Sequence, residues 1–124
     1  MKGLKNFMAN PFKKLRRNMI ISGKETKNYL EMKKSALKVT WENLRNVFNK
    51  QGGRCFWYRI KLDPMDIFIT EHPLAMSVDR LDNSKYYELD NIVICCRMTN
   101  LGRRKCNAKT FREIINTRIR GKIK

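Results

Sequence analysis

The sequence predicts one α+β domain with a basic amino-terminal extension, and three observations lead to that expectation. The chain has 124 residues, which is the size of a single domain. Its composition is 42% hydrophobic and 31% charged, which provides enough apolar material for a modest core. Helical periodicity dominates the first 50 residues and gives way to two short apolar runs at 74–78 and 92–96.

The charge of the chain is concentrated at its two ends. The formal net charge is +17: residues 1–50 carry 13 Lys and Arg against 3 Asp and Glu, residues 51–100 carry 6 against 7, and residues 101–124 carry 9 against 1. Basic flanks around a nearly neutral centre favour a polyanionic partner, above all nucleic acid, and discourage self-association. The alternatives are a generic solvated surface and an RNA-binding protein of the ribosomal type.

Signals for membranes and export are weak in this sequence. No run approaches the roughly 18–20 apolar residues that a membrane helix needs. The amino terminus lacks the apolar stretch of a secretory signal, and its low serine content argues against an organelle transit peptide. Without an export signal, the four cysteines (Cys55, Cys95, Cys96 and Cys106) are not expected to form disulfides. We therefore expect an intracellular protein of the cytoplasm or nucleoid, not a secreted one, and no membrane partner.

Three helical segments are predicted in the first 50 residues. Residues 1–22 read as a basic arm interrupted at Pro11, and residues 24–38 as a second helix. Thr40 is a suitable N-cap for a third helix, which Gly52-Gly53 would end. Each of the three segments has apolar residues at helical spacing, which form a stripe along one face. The stripes are Met8, Phe12, Leu15, Met19 and Ile20 in the first; Tyr29, Met32 and Ala36 in the second; and Trp41, Leu44, Val47 and Phe48 in the third. We divide the chain into a basic arm with helices, 1–39, and a main domain, 40–124.

Helical periodicity disappears after residue 54 and returns near the carboxyl terminus. RCFWYRIKL (54–62) favours a short strand or hairpin, LAMSV (74–78) a strand, and IVICC (92–96) a second, buried strand. A polar loop (81–91) separates the last two, and RMTNLGRRK (97–105) is expected to turn into a helix. Thr110 to Glu113 match a capping box for a final helix, whose expected buried face and stop are Phe111, Ile114, Ile115, Ile119 and Gly121.

The order strand, loop, strand and helix suggests a metal site. Asp79 lies at the end of the first strand, and Asn100 lies about one turn into the helix that follows the second. A hairpin packed on that helix would bring their two oxygens to one point. Mg²⁺ takes oxygen ligands and keeps several waters, so a carboxylate, an amide and phosphate oxygens would suffice. Such an ion polarises a phosphate, which predicts phosphodiester hydrolysis with one metal.

Residues 52–113 resemble the HNH, or ββα-metal, endonucleases. VDRLDNSKYYELDN (78–91) is similar to the phage and mobile-element branch of that family, GGRCFWYRIKL (52–62) to its cysteine-containing knuckle, and NLGRRK (100–105) to its helix start. The resemblance implies a ββα-metal core in which Asp79 and Asn100 bind Mg²⁺ or Mn²⁺. It also implies that Asn91 holds the loop backbone, and that phosphates meet the basic residues near the helix start, Arg103, Arg104 and Lys105.

The sequence departs from the family at the residue after the metal-binding aspartate. The family usually has a histidine there as general base, whereas this chain has Arg80, as does the phage and mobile-element branch that it resembles. Arginine is permanently charged and cannot accept a proton from water, although it can stabilise charge on a phosphate. The only histidine, His72, would reach the site if its segment folds back; the alternative is an ordinary loop histidine. Tyr86 and Tyr87 are further candidates for activating the nucleophile, with loop packing as their alternative role.

The second departure concerns the structural zinc that many relatives hold between two Cys-x-x-Cys pairs. The matching positions here are Cys55 with Tyr58 and Cys96 with Thr99, so only two sulfurs remain. A closed zinc site needs four ligands, and structural zinc is therefore not expected. We expect Trp57 and its neighbours to fill this space as a small core, with the cysteines as small buried apolar groups.

The resemblance implies a metal-dependent DNA endonuclease of the nicking or homing type, acting on double-stranded DNA. One active site per chain would nick as a monomer, whereas a homodimer would cut both strands; a phage enzyme would act inside an infected host cell. The basic residues that would extend the contact with DNA are Lys13, Lys14, Arg16 and Arg17 in the arm, and Arg118, Arg120, Lys122 and Lys124 in the tail. Alternatives are an inactive DNA- or RNA-binding protein on the same scaffold and a structural protein of the ribosome or nucleoid.

Overall fold

The computed structural model describes residues 9–22, 28–103 and 108–114. Its elements are α1 (Pro11–Ser22), α2 (Tyr29–Leu37), α3 (Trp41–Lys50), the 3₁₀ helix η1 (Pro64–Phe68), β1 (Met76–Arg80), β2 (Ile92–Cys96), α4 (Arg97–Arg103) and α5 (Ala108–Ile114). The two strands form one antiparallel sheet. The fold is therefore α+β, as the sequence predicts. Within the described ranges, none of the helices is both long and apolar enough to cross a membrane.

Helix α1 begins at Pro11. Asn10 accepts hydrogen bonds through its Oδ1 atom from the backbone N–H of Phe12 at 2.9 Å and of Lys13 at 3.4 Å. Proline fits the first helical position because its missing N–H would have no partner there. Phe12, Leu15 and Met19 are buried and Ile20 is half-buried, so the predicted stripe is confirmed within α1, while Met8 lies outside the described residues.

The next two helices also follow the predicted pattern. Helix α2 buries Met32 and Ala36, and residues 23–27, which include the predicted start of this helix, lie outside the described residues. Helix α3 begins with a capping box in which Thr40 and Asn43 bond to each other's backbone N–H. Gly53 follows α3 at φ +71° and donates to the carbonyl of Phe48, as a glycine after a helix commonly does.

Strand β1 lies two residues later than the predicted strand 74–78, whereas β2 occupies the predicted 92–96. The shift arises because the preceding residues bond to the start of α4: Ala75 accepts from the N–H of Arg97 at 2.9 Å, and Pro73 from that of Met98 at 3.0 Å. The predicted strand or hairpin at 54–62 is a tight turn with a single β-bridge between Arg54 and Lys61.

Helix α5 begins at Ala108, so Thr110 lies within it and is not its N-cap. The capping box predicted at 110–113 is therefore wrong; alanine is the better helix former and extends the helix backwards. Arg112 lies 4.8 Å from the centre of the Phe56 ring, which packs α5 against the turn 54–61. Residues 115–124, including the predicted stop at Gly121, lie outside the described residues.

One hydrophobic core joins the helices, the turn and the hairpin. Its fully buried side chains include Leu15 of α1, Leu44 of α3 and Ile94 of β2. The predicted division between residues 39 and 40 thus falls inside a shared core, because α1 contributes to the same cluster as the hairpin.

Candidate functional site

Asp79 lies near the end of β1 and is held by Trp57. The residue is only 6% exposed, and Trp57 donates from Nε1 to the Oδ2 atom at 3.0 Å. Side chains alternate along a strand, so Asp79 shares one face of β1 with Ser77, while Val78 and Arg80 lie on the other. A bond from Trp57 to one oxygen fixes the orientation of the carboxylate at the face it shares with Ser77.

Asn100 of α4 contacts the same stretch of β1. Its amide nitrogen donates to the Oγ atom of Ser77 at 2.7 Å and to the carbonyl of Val78 at 3.3 Å. These partners are the two residues that precede Asp79. Because the amide nitrogen of Asn100 is hydrogen-bonded to β1, the amide oxygen is the atom that would bind a metal ion. The fold therefore brings the two predicted metal ligands to neighbouring positions.

The donor set at this place suits a hard divalent cation. Asp79 would supply a carboxylate oxygen and Asn100 an amide oxygen, and Mg²⁺ or Mn²⁺ accepts two such ligands when water and phosphate oxygens complete the shell. Among the described residues no group of three or more His, Cys, Asp or Glu side chains is placed to hold a metal.

Asn91 holds the loop 81–91 closed. Its Oδ1 atom accepts from the N–H of Asp82 at 2.9 Å, and its Nδ2 atom donates to the carbonyls of Asp82 and Tyr86, both at 3.1 Å. The side chain is 4% exposed. These are the backbone bonds that the resemblance implies for this residue.

We expect Asn91→Ala to lower the free energy of unfolding by about 3 kcal/mol, because three hydrogen bonds from a buried side chain to the loop backbone are lost and each is worth about 1 kcal/mol. Urea denaturation followed by circular dichroism measures the change. The control is Asn46→Ala, which removes an exposed amide from α3 and should change stability little. Equal stability of the two variants would contradict the role of Asn91 in closing the loop.

Arg80 also binds the loop. Its Nη1 atom donates to the carbonyls of Asn83 at 2.9 Å and Lys85 at 2.6 Å, and its guanidinium lies 5.6 Å from the centre of the Tyr87 ring. The Tyr87 hydroxyl is 3.0 Å from the Oγ atom of Ser22, which ties the loop to α1. Arg80 therefore stiffens the loop from the face of β1 opposite Asp79.

The other candidates for activating a nucleophile have local partners. His72 accepts at Nδ1 from the N–H of Leu74 at 3.0 Å, and its Nε2 atom lies 3.9 Å from a carboxylate oxygen of Asp66. Both contacts are with its own loop and η1, which is the arrangement of a loop histidine. Tyr86 is half-buried against the core, and Tyr87 is buried.

The basic side chains of the arm that are predicted to contact phosphate differ in solvent exposure and in their hydrogen bonds. Lys13 and Arg17 are exposed on α1, and Lys14 is half-buried. Arg16 instead donates from Nε to the carbonyl of Val39 at 2.7 Å and from Nη2 to that of Leu37 at 2.9 Å. Arg16 thus satisfies carbonyls at the end of α2. Of the other predicted contacts, Arg103 is the last residue of α4, while Arg104, Lys105 and the tail residues lie outside the described ranges.

Substitutions of the neighbouring residues Arg16 and Arg17 are expected to have different effects, the first on stability and the second on DNA binding. Arg16→Gln should lower the free energy of unfolding by about 1–2 kcal/mol, because two carbonyls at the end of α2 lose a charged donor. Arg17→Gln should leave stability unchanged and weaken DNA binding. Thermal unfolding and fluorescence anisotropy with a DNA duplex measure the two effects. The same loss of binding for both variants, without loss of stability, would show that Arg16 contacts phosphate.

A second polar cluster lies at the end of β2, at the positions that the resemblance matches to the knuckle of the HNH endonucleases. The Oγ1 atom of Thr99 lies 3.5 Å from the Sγ atom of Cys55 and 2.7 Å from that of Cys96. A hydrogen bond from Cys96 lowers the pKa of Cys55 to about 5 against the opposing effect of burial, and the same bond raises the pKa of Cys96. Burial raises the pKa of Tyr58, and the two thiols add to that rise. These four residues form the knuckle cluster, and the expected burial of both cysteines is confirmed.

The sequence does not predict two contacts at the predicted metal-ligand positions. It predicts a core role for Trp57, whereas the indole N–H of Trp57 also holds Asp79 across 22 residues of chain. It predicts no role for Ser77, although a spacing of two from Asp79 in a strand indicates a shared face. No sequence signal identifies the bond from Trp57, because it depends on how the turn 54–61 packs on the hairpin.

Comparison with protein-family models, with curated proteins and with solved structures gave no match.

Proposed function

We propose that this protein is a metal-dependent endonuclease of the HNH type that hydrolyses phosphodiester bonds in double-stranded DNA. The observation that supports the proposal best is the contact of Asn100 with β1 beside Asp79, in a strand–loop–strand–helix order. Both oxygen donors come from one hairpin and the helix that follows it. The net charge of +17 favours a nucleic-acid substrate.

Each residue of the site has a defined task in this proposal. Asp79 and Asn100 bind the ion, which when bound supplies Lewis-acid stabilisation of the phosphate. Trp57 orients Asp79, and Asn91 fixes the loop between the strands. Arg80 keeps a permanent positive charge beside the end of β1 and cannot accept a proton, so the attacking water loses its proton to another group or to a chain of waters.

A nucleic-acid-binding protein without catalysis is the second candidate. The contacts of Arg80 favour it, because its guanidinium is engaged with two loop carbonyls and the Tyr87 ring. A histidine at this position would titrate near neutral pH and serve as a base, whereas arginine does not. In this case the basic charge of the chain provides the whole function, and binding weakens steeply with salt.

The test is incubation of supercoiled plasmid with the purified chain at low salt, with Mg²⁺, with Mn²⁺ or with EDTA. Conversion to open-circle DNA in either metal and none in EDTA is the result expected of the nuclease. Retardation of the plasmid without conversion in any condition would reject the nuclease and favour the binding protein.

A further inference from the structure

A groove lies between α1, the segment 67–71 and the junction of β1 with α4, and we call it the α1 groove. Its volume is about 430 Å³. The polar side chains that line it include Lys14, Asn18, Thr70, Ser77, Arg97 and Asn100. Asn100 and Ser77 also form the contact beside Asp79. Asn100 therefore belongs both to the α1 groove and to the proposed metal site, whereas Asp79 follows Val78, the last residue of β1 that lines the groove.

Two cations stand on opposite walls of the α1 groove. Lys14 extends from α1, and its Nζ atom lies 5.5 Å from the centre of the Phe68 ring in η1. Arg97 is exposed at the first position of α4, on the hairpin side. The amide of Asn18 and the hydroxyl of Thr70 add neutral hydrogen-bonding groups to the lining of the groove. Ammonium, guanidinium, amide and hydroxyl groups are the usual donors to phosphate oxygens.

The floor of the α1 groove is apolar. Leu15, Met19 and Met76 line it and are buried in the core. One carboxylate, that of the exposed Glu71, also lies on the wall. The cations outnumber this single negative charge, and an apolar floor suits the sugar edge of a nucleic-acid strand better than a free inorganic anion.

We propose that the α1 groove binds one strand of the DNA duplex and leads its phosphodiester backbone to Asp79 and Asn100, with Lys14 and Arg97 as phosphate contacts. This inference deepens the proposed function and rests on it for the direction of the strand. It assigns Arg97, Asn18 and Thr70 to DNA contact, and it gives Lys14 a role distinct from that of the other arm residues. Glu71 opposes binding and limits the affinity of the groove.

The test is fluorescence anisotropy of a labelled DNA duplex in EDTA, so that binding is read without cleavage. Each phosphate contact changes the slope of log affinity against log salt concentration by about 0.9. At about 0.1 M salt, loss of one contact therefore lowers the affinity about eightfold. We expect this loss for Lys14→Gln and for Arg97→Gln. Glu71→Gln should strengthen binding. Asn18→Asp, at an exposed position, should weaken it by adding a second negative charge.

The matched control is Lys50→Gln, which removes one exposed charge from the end of α3, outside the α1 groove. It should weaken binding less than either groove variant and leave the salt slope unchanged. Equal losses for Lys14→Gln, Arg97→Gln and Lys50→Gln, with no gain for Glu71→Gln, would overturn the proposal in favour of a general charge effect. Circular dichroism of each variant establishes that it is folded.

The same variants distinguish a failure of the groove proposal from a failure of the proposed nuclease function. Groove-dependent binding without any metal-dependent nicking by the wild-type chain would reject the nuclease and keep the DNA groove. Nicking by the wild-type chain with unchanged binding of Lys14→Gln, Arg97→Gln and Glu71→Gln would keep the nuclease and reject the groove.

Discussion

Asp79→Asn is expected to lower the rate of metal-dependent plasmid nicking by at least about 100-fold. Mutation of a residue that only hydrogen-bonds to a metal ligand already lowers metal affinity or activity by about 10–100-fold. The amide has no negative charge and therefore binds Mg²⁺ more weakly than the carboxylate does, which leaves the ion with two neutral protein ligands. Its oxygen still accepts the bond from Trp57, so the fold should be kept. DNA binding in EDTA should not decrease, because the substitution removes a negative charge from a site that attracts phosphate.

The control for this experiment is Asp90→Asn, which removes an exposed carboxylate at the end of the same loop. It should nick at the wild-type rate. Titration with Mn²⁺ adds a second measurement, because loss of a ligand raises the metal concentration that gives half-maximal nicking. If Asp79→Asn nicks as fast as the wild type at every metal concentration, Asp79 is not a metal ligand and the proposed site is wrong.

Local signals predicted much of the fold. The cap at Thr40 and the stripe of α3 depend on residues three or four apart, and the buried run of β2 depends on consecutive residues. The order of hairpin and helix placed Asn100 beside the strand that carries Asp79, and the structure brings them together. Such features could be predicted because the information lies within one or two elements.

Long-range contacts could not be predicted in the same way. Arg16 was expected to contact phosphate, but it bonds to carbonyls that lie 21 and 23 residues away. Strand β1 starts two residues later than predicted because Pro73 and Ala75 accept hydrogen bonds from the first turn of α4. An exposed basic stripe and a capping basic residue have the same sequence pattern, and only the packing of α1 against α2 distinguishes them.

The knuckle cluster shows how a local comparison and a long-range contact combine. Two of its four positions hold sulfur, and Thr99 lies within hydrogen-bonding distance of both thiols. Tyr58 is close enough for the thiols to add to the rise of its pKa that burial causes. Thr99 thus joins the two thiols by hydrogen bonds, and Tyr58 lies near enough to feel their charge.

Replacing the two non-sulfur positions is expected to create a zinc site. The double variant Tyr58→Cys and Thr99→Cys should bind one Zn²⁺ per chain, because four thiolates at converging positions satisfy its tetrahedral preference with Zn–S distances of about 2.3 Å. Structural zinc contributes directly to folding, so the metal should raise the melting temperature by at least about 10 °C and a chelator should reverse the rise. Co²⁺ in place of zinc gives a visible absorption that reports the thiolate ligands.

The matched controls are the single variants, which offer three sulfurs, and the double variant with Cys55→Ser, which loses one of the native pair. All three should bind zinc more weakly than the double variant, because each leaves one position without a sulfur. The wild type should bind it more weakly still. A double variant that takes up no more zinc than the wild type would mean that the side chain at 58 does not reach the sulfurs. The knuckle cluster would then be a packed turn in which Thr99 merely joins two thiols, and its likeness to a metal-binding knuckle would be confined to sequence spacing.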